Sequence, residues 1–373
     1  MAWGQRLKGL NPTLKPLVKE IAHRQNAGQN MQYSMHIYSE VRWRLNFTPD
    51  VETTRRRIAD LRQSLDQPEQ QKMADQQQTD DGSWGLGLDV WYLRLYYSVD
   101  HVKGAAGKPE HPLLFLDRIN SPEKLTAQLN SDLYDNFVQT GVFNREELDE
   151  TFSALARLLF ASQPIAYNFD PQLRDSLRQF VERWQNPATG CWGQWMIDRE
   201  GRVWKMDDMG ITFHVVSDLH GQVGQLDRIA KRLLQLDRVN FPAGIRFDGH
   251  YENHLNWDAV KLFRIAWPHL DDSTKQQARN EISRMLQWCL TQSLQSDGSF
   301  KVSDLDDTPG DAYRYGVWFL EETGYFRPSD RFWTDRDFPE SEAVRARIAA
   351  KLSSIGLSDS GLREAYETLQ AAQ

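Results

Sequence analysis

The sequence predicts an all-α fold, an α/α toroid of six helical hairpins, and three observations predict it. Glycine-containing turns recur at a fixed spacing, segments with a helical apolar period lie between them, and the segment after each turn is the more apolar. Six pairs of an outer and an inner helix bury both layers when the stack closes into a ring. We therefore expect a twelve-helix toroid domain over residues 51–373 and an N-terminal helical extension over residues 1–50.

The turns carry the repeat. The segments QTDDGSW, QNPATGCW and QSDGSF each place an aromatic residue two positions after a glycine, and a weaker glycine series lies between them. The two series are Gly82, Gly190 and Gly298, at intervals of 108 residues, and Gly141, Gly249 and Gly356, at intervals of 108 and 107 residues. This regularity predicts three double units, each made of two helical hairpins.

Apolar spacing predicts the helices between the turns. DPQLRDSLRQFVERW places Leu173, Leu177, Phe180 and Val181 on one stripe with charged residues opposite, which is typical of a half-exposed outer helix. The segments DVWYLRLYYSV, GITFHVVSDL, WDAVKLFRIAW and YGVWFLEETGY are more apolar and more aromatic. We expect these four to be inner helices that are covered on most sides.

The composition narrows the class of partner. The 373 residues carry a formal net charge of -8 without a basic block, which argues against nucleic acid. No apolar stretch is long enough to span a membrane and no secretory signal is recognisable, so a cytoplasmic location is expected. The two cysteines, Cys191 and Cys289, cannot build a disulfide framework or a zinc site alone. The 13 tryptophans and 12 tyrosines suit an isoprenoid, a glycan or a protein partner, and the oligomeric state is left open.

Two motifs resemble a known superfamily. QTDDGSW satisfies the QxxxGxW turn signature of the terpenoid cyclases and protein prenyltransferases, which have an α/α toroid fold, and the other two turns differ from it by one residue in length. DLDDT, residues 304–308, is similar to the DxDDT motif of class II terpene cyclases. The resemblance implies that Asp306 is the general acid that protonates an alkene or epoxide, with Asp304 and Asp307 tuning its pKa. It requires no cofactor, although Mg²⁺ is expected if the substrate is a diphosphate.

The same aspartates have a structural interpretation. Asp89, Asp208 and Asp306 each precede an inner helix, where an acidic side chain caps free N–H groups and complements the helix dipole. Capping and catalysis can coexist, because the helix N-termini would also line the mouth of a toroid.

A second polar cluster lies in the segment FDGHYENHLNWDAVKLF. If the segment is helical, His250 and His254 share a face with Asp258 one turn further, which would allow a metal trio. These residue types equally suit a glycan-active lyase or hydrolase, which needs a group to neutralise charge, a base and an acid. The plain alternative is a polar turn in which Asn253 or Asn256 caps the helix.

Three functions follow from these patterns. The first is a terpenoid cyclase-like enzyme that protonates a polyprenyl substrate in an aromatic cavity. The second is a polysaccharide lyase or glycoside hydrolase of the α/α barrel type, and the third is a non-enzymatic toroid that binds peptide or glycan. Beside the DLDDT aspartates and the two histidines, the candidate substrate-binding residues are Asp89, Asp208, His214, Asn253, Trp257, Tyr313, Arg314 and Trp318.

Overall fold

The structure, a computed structural model, describes residues 9–104, 109–135, 137–160, 165, 167–303, 308–357 and 360–371. These residues are mostly helical, with one small three-stranded sheet, so the predicted all-α class is confirmed. The chain forms two compact units. Unit 1 comprises Met1–Trp184 and Gly193–Met206, and unit 2 comprises Gln185–Trp192 and Asp207–Gln373.

Unit 1 contains nine described helices and the sheet. The helices are α1 (Asn11–Asn26), α2 (Gln32–Phe47), α3 (Val51–Ser64), α4 (Pro68–Met73), α5 (Trp91–Gly104), α6 (Pro122–Leu133), α7 (Phe137–Thr140), α8 (Arg145–Leu159) and α9 (Leu173–Trp184), with a 3-10 helix at Leu114–Arg118. The strands are β1 (Tyr134–Asp135), β2 (Trp195–Ile197) and β3 (Val203–Lys205). Strand β2 is parallel to β1 and antiparallel to β3.

The N-terminal helices of unit 1 share their core with α3. Leu17 of α1, Ile37 and Val41 of α2, and Ile58 and Leu61 of α3 are buried in one cluster. Residues 9–50 are therefore held to the next helix by apolar burial, the main favourable contribution to folding.

A buried carboxylate joins α2, α3 and the segment before α5. Glu40 accepts hydrogen bonds from Arg44 Nε at 2.7 Å, from Arg57 Nη2 at 3.1 Å and from the backbone N–H of Asp89 at 2.8 Å. Removing one partner of such a buried charge leaves the other uncompensated, so these contacts fix the start of α5 relative to α2.

Unit 2 contains seven described helices. They are α10 (Met209–Asp218), α11 (Leu226–Gln235), α12 (Asn253–Ala266), α13 (Asp272–Trp288), α14 (Pro309–Glu322), α15 (Ser341–Ile355) and α16 (Ser360–Ala371). A 3-10 helix at Trp267–His269 follows α12, a π-helical turn at Cys289–Ser293 follows α13, and a second 3-10 helix lies at Pro328–Asp330.

The repeated turns share one set of backbone bonds. In each turn a residue near its start donates to the carbonyl of the residue after the glycine, and the glycine N–H closes a bond back into the turn. The first of these two hydrogen bonds runs from a backbone N–H to a backbone carbonyl in every turn. It joins Thr79 to Ser83 at 2.8 Å, Asn186 to Cys191 at 2.9 Å and Gln295 to Ser299 at 2.7 Å. The 108-residue period in the sequence thus corresponds to a repeated backbone conformation.

The turn glutamine links each of the first two turns to the chain that follows. Gln78 Nε2 donates to the carbonyls of Gly82, at 2.7 Å, and His111, at 3.3 Å. Gln185 Nε2 donates to those of Gly190 and Gly224, both at 2.9 Å. In the third turn, which is one residue shorter, Gln295 Nε2 donates to Ser293 instead.

Glycine is required in these turns. All six glycines of the two series have φ between 71° and 90°, where L side chains are strained. A Cβ at Gly82 would also lie 2.0 Å from the carbonyl oxygen of Pro112, and one at Gly298 would lie 2.5 Å from that of Arg347.

The predicted helices occur where the apolar spacing places them. The stripe of Leu173, Leu177, Phe180 and Val181 is buried along one side of α9. The four segments predicted as inner helices contribute α5, α10, α12 and α14. Among the described helices, none combines the length and the apolar character needed to cross a bilayer.

Candidate functional site

Three helices of unit 2 form a surface rich in aromatic and basic side chains. Helix α12 packs against both α10 and α14, and each of the three contributes half-buried residues. We call this surface the aromatic face; it comprises His214 of α10, His254, Trp257 and Lys261 of α12, and Arg314, Tyr315 and Trp318 of α14.

Helical spacing and an N-terminal cap position the α12 residues. His254, Trp257 and Lys261 are three and four residues apart, which places them along one side of the helix. The Glu252 carboxylate caps the helix by accepting from the backbone N–H groups of His254, at 2.7 Å, and Leu255, at 3.3 Å. The expected cap at Asn253 or Asn256 is wrong, because α12 already begins at Asn253.

The rings of the face form one contiguous cluster. The Trp257 centroid lies 4.9 Å from that of Trp318 and 5.9 Å from that of Tyr315. The His254 imidazole stacks on Tyr315 with a centroid separation of 3.7 Å and an interplanar angle of 8°. Phe213 adds an edge contact to Trp257 at 5.2 Å. These rings offer a broad apolar surface that is partly open to solvent.

His254 is a neutral imidazole over most of the pH range. Burial lowers its pKa to about 3, with the charges of His214 and Arg314 acting in the same direction. The Asp258 carboxylate lies 4.0 Å from Nε2 of the ring. A neutral imidazole presents one donor and one acceptor, so His254 can bond a ligand hydroxyl in either sense.

Two cations lie against the rings. Lys261 Nζ is 5.0 Å from the Trp257 centroid and 5.5 Å from that of Phe213, and within the described part of the chain it has no carboxylate partner. The Arg314 guanidinium is 5.7 Å from the Trp318 centroid and pairs with the carboxylates of Asp311 and Glu364 at 3.2 and 3.0 Å. The face therefore combines aromatic rings with local positive charge.

The DLDDT motif is only partly described. Asp304, Asp306 and Asp307 lie outside the described residues, so the catalytic role of Asp306 stays a prediction. Thr308 caps α14, with its hydroxyl accepting from the backbone N–H of Asp311 at 3.2 Å.

The two other inner-helix aspartates have structural partners. Asp208 caps α10 by accepting from the backbone N–H of Ile211 at 2.9 Å, which confirms the capping interpretation for that residue. Asp89 is in unit 1, where its exposed carboxylate lies 3.6 Å from Arg57 Nη1. Neither side chain belongs to the aromatic face.

His250 does not share a helix face with His254. It lies in an exposed turn before α12, and its N–H donates to the carbonyl of Phe247 at 2.9 Å. The predicted helical trio with Asp258 is therefore wrong. Among the described residues, no three His, Cys, Asp or Glu side chains are grouped so as to hold a metal ion.

Two further candidates are buried in the core of unit 2. The Tyr313 ring packs edge-on against Phe300 with centroids 5.7 Å apart. Asn253 Nδ2 donates to Ser293 Oγ at 2.8 Å. Trp257, Trp318 and Arg314, in contrast, lie in the aromatic face, and the charges of His214 and Arg314 both act on His254; their role in binding a substrate stays a prediction.

Unit 1 contains an acidic pair that the motifs do not indicate. Gln128 Nε2 donates to Asp132 Oδ2 at 2.8 Å and to Glu147 Oε1 at 3.4 Å, so the two carboxylates share one amide. Burial, followed by the charge of Glu147, raises the pKa of Asp132 to about 7. Arg118 Nη2, 3.8 Å from Glu147, only partly offsets this. The pair therefore favours holding a proton near neutral pH.

The sequence offers a weak signal for some of these residues. Lys261 follows Trp257 by four positions in α12, a spacing that places both side chains on one side of the helix. Asp132 and Glu147 have no such signal, because packing of α6 on α8 brings them together.

Comparison of the chain with protein-family models, with curated proteins and with solved structures finds no match.

Proposed function

We propose that the protein is a carbohydrate-active protein that binds an acidic glycan on the aromatic face of unit 2. One observation carries the proposal: a lysine without a carboxylate partner in the described chain lies against the same ring cluster as a neutral imidazole. A sugar ring has apolar C–H faces and a polar edge, and a uronic acid adds a carboxylate. The face offers a counterpart to each of these.

The rings supply the stacking surface. Trp257, Tyr315 and Trp318 lie within 6 Å of one another, are half-buried and are inclined to each other, so a sugar ring can stack on one of them while its edge contacts the next. His254 lies on Tyr315 at the edge of this surface, where it can bond a sugar hydroxyl.

The cations favour a negatively charged ligand. Lys261 forms no ion pair with a described residue, so its ammonium is available to the carboxylate of a ligand. Charge-assisted hydrogen bonds of this kind are about twice as strong as neutral ones. Arg314 lies on the neighbouring helix, but the carboxylates of Asp311 and Glu364 already neutralise its charge, so Lys261 carries the attraction for an anion.

We assign β-elimination on a uronate as the reaction class. Such a reaction moves the proton at C5 to a base, breaks the C4–O bond, forms a C4=C5 double bond and returns a proton to the leaving oxygen. A lowered pKa makes His254 a weak base, so we assign proton abstraction to His214 and sugar binding to His254. Lys261 would neutralise the carboxylate, which makes the C5 proton more acidic.

The α/α toroid is part of the proposal. The shared turn bonds, the 108-residue period and the alternation of amphipathic and apolar helices support six hairpins closed into a ring. The aromatic face would then line an aromatic cavity inside that ring.

The second candidate is the protonation-initiated terpenoid cyclase. The DLDDT motif with Asp306 and the ring cluster favour it, because aromatic faces stabilise carbocations. Lys261 opposes it, since its ammonium places a positive charge against the rings that a carbocation would need.

One panel of ligands separates these functions. The purified protein is incubated with acidic oligosaccharides, neutral oligosaccharides of equal length, polyprenyl diphosphates, squalene and squalene epoxide, and products are identified by mass spectrometry. Asp306→Asn is run alongside. Unsaturated uronate products support the lyase, whereas a cyclised hydrocarbon that the variant no longer forms overturns it in favour of the cyclase.

Isothermal titration calorimetry with the same ligands tests the third function, a non-enzymatic binding protein, because it measures binding without turnover. Binding of an acidic oligosaccharide without turnover would indicate a non-enzymatic glycan-binding toroid. Equal affinity for acidic and neutral oligosaccharides would contradict the role given to Lys261.

A further inference from the structure

Helices α12 and α14 carry neutral polar groups inside the core of unit 2. Asn253 and Tyr313 are each 3% exposed and Asn256 is 0% exposed. Across the part of the chain that the structure describes, four of their atoms have no hydrogen-bond partner. These atoms are Asn253 Oδ1, Asn256 Oδ1, Asn256 Nδ2 and Tyr313 Oη.

Such groups are costly in an apolar setting. On the side of α12 that carries Asn256, the next turn presents the buried apolar residues Ala259 and Val260, and the preceding turn presents Asn253 and the buried capping carboxylate of Glu252. A buried amide without partners bears its full desolvation penalty, which an apolar residue of the same size would not. Buried polar atoms are nearly always paired, so a partner other than the described residues is indicated.

The two asparagines lie on the same side of α12. They are three residues apart, so their side chains lie on the same side of α12 about one turn from each other. Asn253 is anchored through its Nδ2, which donates to Ser293 Oγ at 2.8 Å. The planar amide therefore has its Oδ1 held in place as an acceptor. Tyr313 lies on α14, which packs against α12.

The chemistry of these atoms selects the ligand. All four belong to neutral groups, and together they need both donors and acceptors, which excludes a metal ion or a simple anion as the natural partner. A water molecule donates twice and accepts twice, and buried waters typically make about three hydrogen bonds to such groups.

We propose that unit 2 contains an internal hydration site, in which ordered water bridges the Asn256 amide to Asn253 Oδ1 or Tyr313 Oη. The site is distinct from the aromatic face and does not rest on the proposed function. It makes water a structural component of the helix pair that carries His254 and Arg314.

The direct test is a nuclear Overhauser experiment on protein labelled at asparagine side chains. Water held at Asn256 gives a cross-peak between the water resonance and the Asn256 side-chain amide protons. A cross-peak could also arise through the tyrosine hydroxyl proton, which exchanges with solvent. The same measurement on Tyr313→Phe removes this indirect route. A cross-peak that persists supports the site, and its absence from both proteins overturns it.

Asn256→Leu provides an independent readout. If a water molecule is hydrogen-bonded to the Asn256 amide, the leucine side chain removes those hydrogen bonds, and the unfolding temperature falls by about 3 °C or more. If the amide is simply unpaired, the same substitution raises the unfolding temperature and contradicts the proposal. Should the variant fail to fold, the cross-peak in the wild-type protein still decides the question.

Discussion

The buried titratable centres of the two units have shifted pKa values of opposite sign. In unit 1, Asp132 beside Glu147 has its pKa raised to about 7, whereas in unit 2 the pKa of His254 is lowered to about 3. The largest cause is the same in both, because burial disfavours whichever form is charged. Each unit therefore keeps its buried group neutral near pH 6, and the two should respond to pH in opposite directions.

The buried carboxylate of Glu40, unlike that of Asp132, is compensated by positive charge. Two guanidinium groups and one backbone N–H surround this carboxylate, whereas the Asp132–Glu147 pair has a shared amide and one distant arginine. Unit 1 thus pairs one buried acid with charge and leaves the other to hold a proton.

Removing Arg57 from the buried ion pair with Glu40 should have the largest effect on stability. Arg57→Met removes a donor from fully buried Glu40, and the free energy of unfolding should fall by about 3–5 kcal/mol. Urea denaturation measures the change. Arg55→Met, which removes an exposed ion pair with Glu52, is the matched control and should cost less than about 1 kcal/mol. Equal losses in the two variants would contradict the role of Glu40.

Replacing Asp132 of the Asp132–Glu147 pair by asparagine should stabilise unit 1 at high pH. The folded pKa of Asp132 lies above its ordinary value of 3.8, so the folded state binds more protons between about pH 4 and pH 7, and stability falls as pH rises through that window. Asp132→Asn removes this loss and should raise the free energy of unfolding at pH 8 by on the order of 2 kcal/mol. Urea denaturation at pH 5 and pH 8 measures the effect.

The control for the pair is Asp66→Asn, at a well-exposed carboxylate. Its curve should follow the wild type at both pH values. A loss of stability at pH 8 in Asp132→Asn would show that the ionised carboxylate is needed.

The histidine of unit 2 should give the opposite slope. Its folded pKa lies below the ordinary value of 6.5, so the unfolded state binds more protons between about pH 3 and pH 6.5, and stability falls as pH falls. His254→Gln should remove about 1–2 kcal/mol of this loss at pH 5. His250→Gln, at an exposed turn, is the matched control. Urea denaturation compares both, and identical slopes in the wild type and His254→Gln would contradict a buried neutral imidazole.

The smallest effect is expected on ligand binding. Lys261→Met keeps the side-chain length but removes the charge, so affinity for an acidic oligosaccharide should fall about tenfold while affinity for a neutral one is retained. Isothermal titration calorimetry measures both. Lys231→Met, at a lysine paired with Asp271, should change neither affinity, and a loss for both ligands in Lys261→Met would indicate a packing role.

The fold class and the turns could be predicted because their signals are local. Apolar period and glycine position depend on neighbouring residues only, and both α9 and the positive φ of Gly82 match them. The ring cluster was partly predictable, since His214, Trp257 and Trp318 lie in apolar helices. Which side of those helices stays open depends on packing between helices, so Lys261 and Tyr315 were missed.

The acidic pair was beyond sequence reasoning for a different reason. Asp132 and Glu147 lie on separate helices, and neither belongs to a recurring motif. The raised pKa of Asp132 depends on its burial and on the nearby charge of Glu147, which only the packed unit defines. The His250–His254 trio failed because the N-terminus of α12 falls between the two histidines.

The repeated turn has a consequence for how such a chain can grow. In the first two turns the glutamine bonds its own turn and a carbonyl 33 or 39 residues further along the chain, so both ends of each bond lie within one 108-residue block. Tandem duplication or deletion of one block would keep those hydrogen bonds, because neither of them crosses a junction between blocks. A consensus block derived from the three copies is thus a natural starting point for designing longer or shorter arrays.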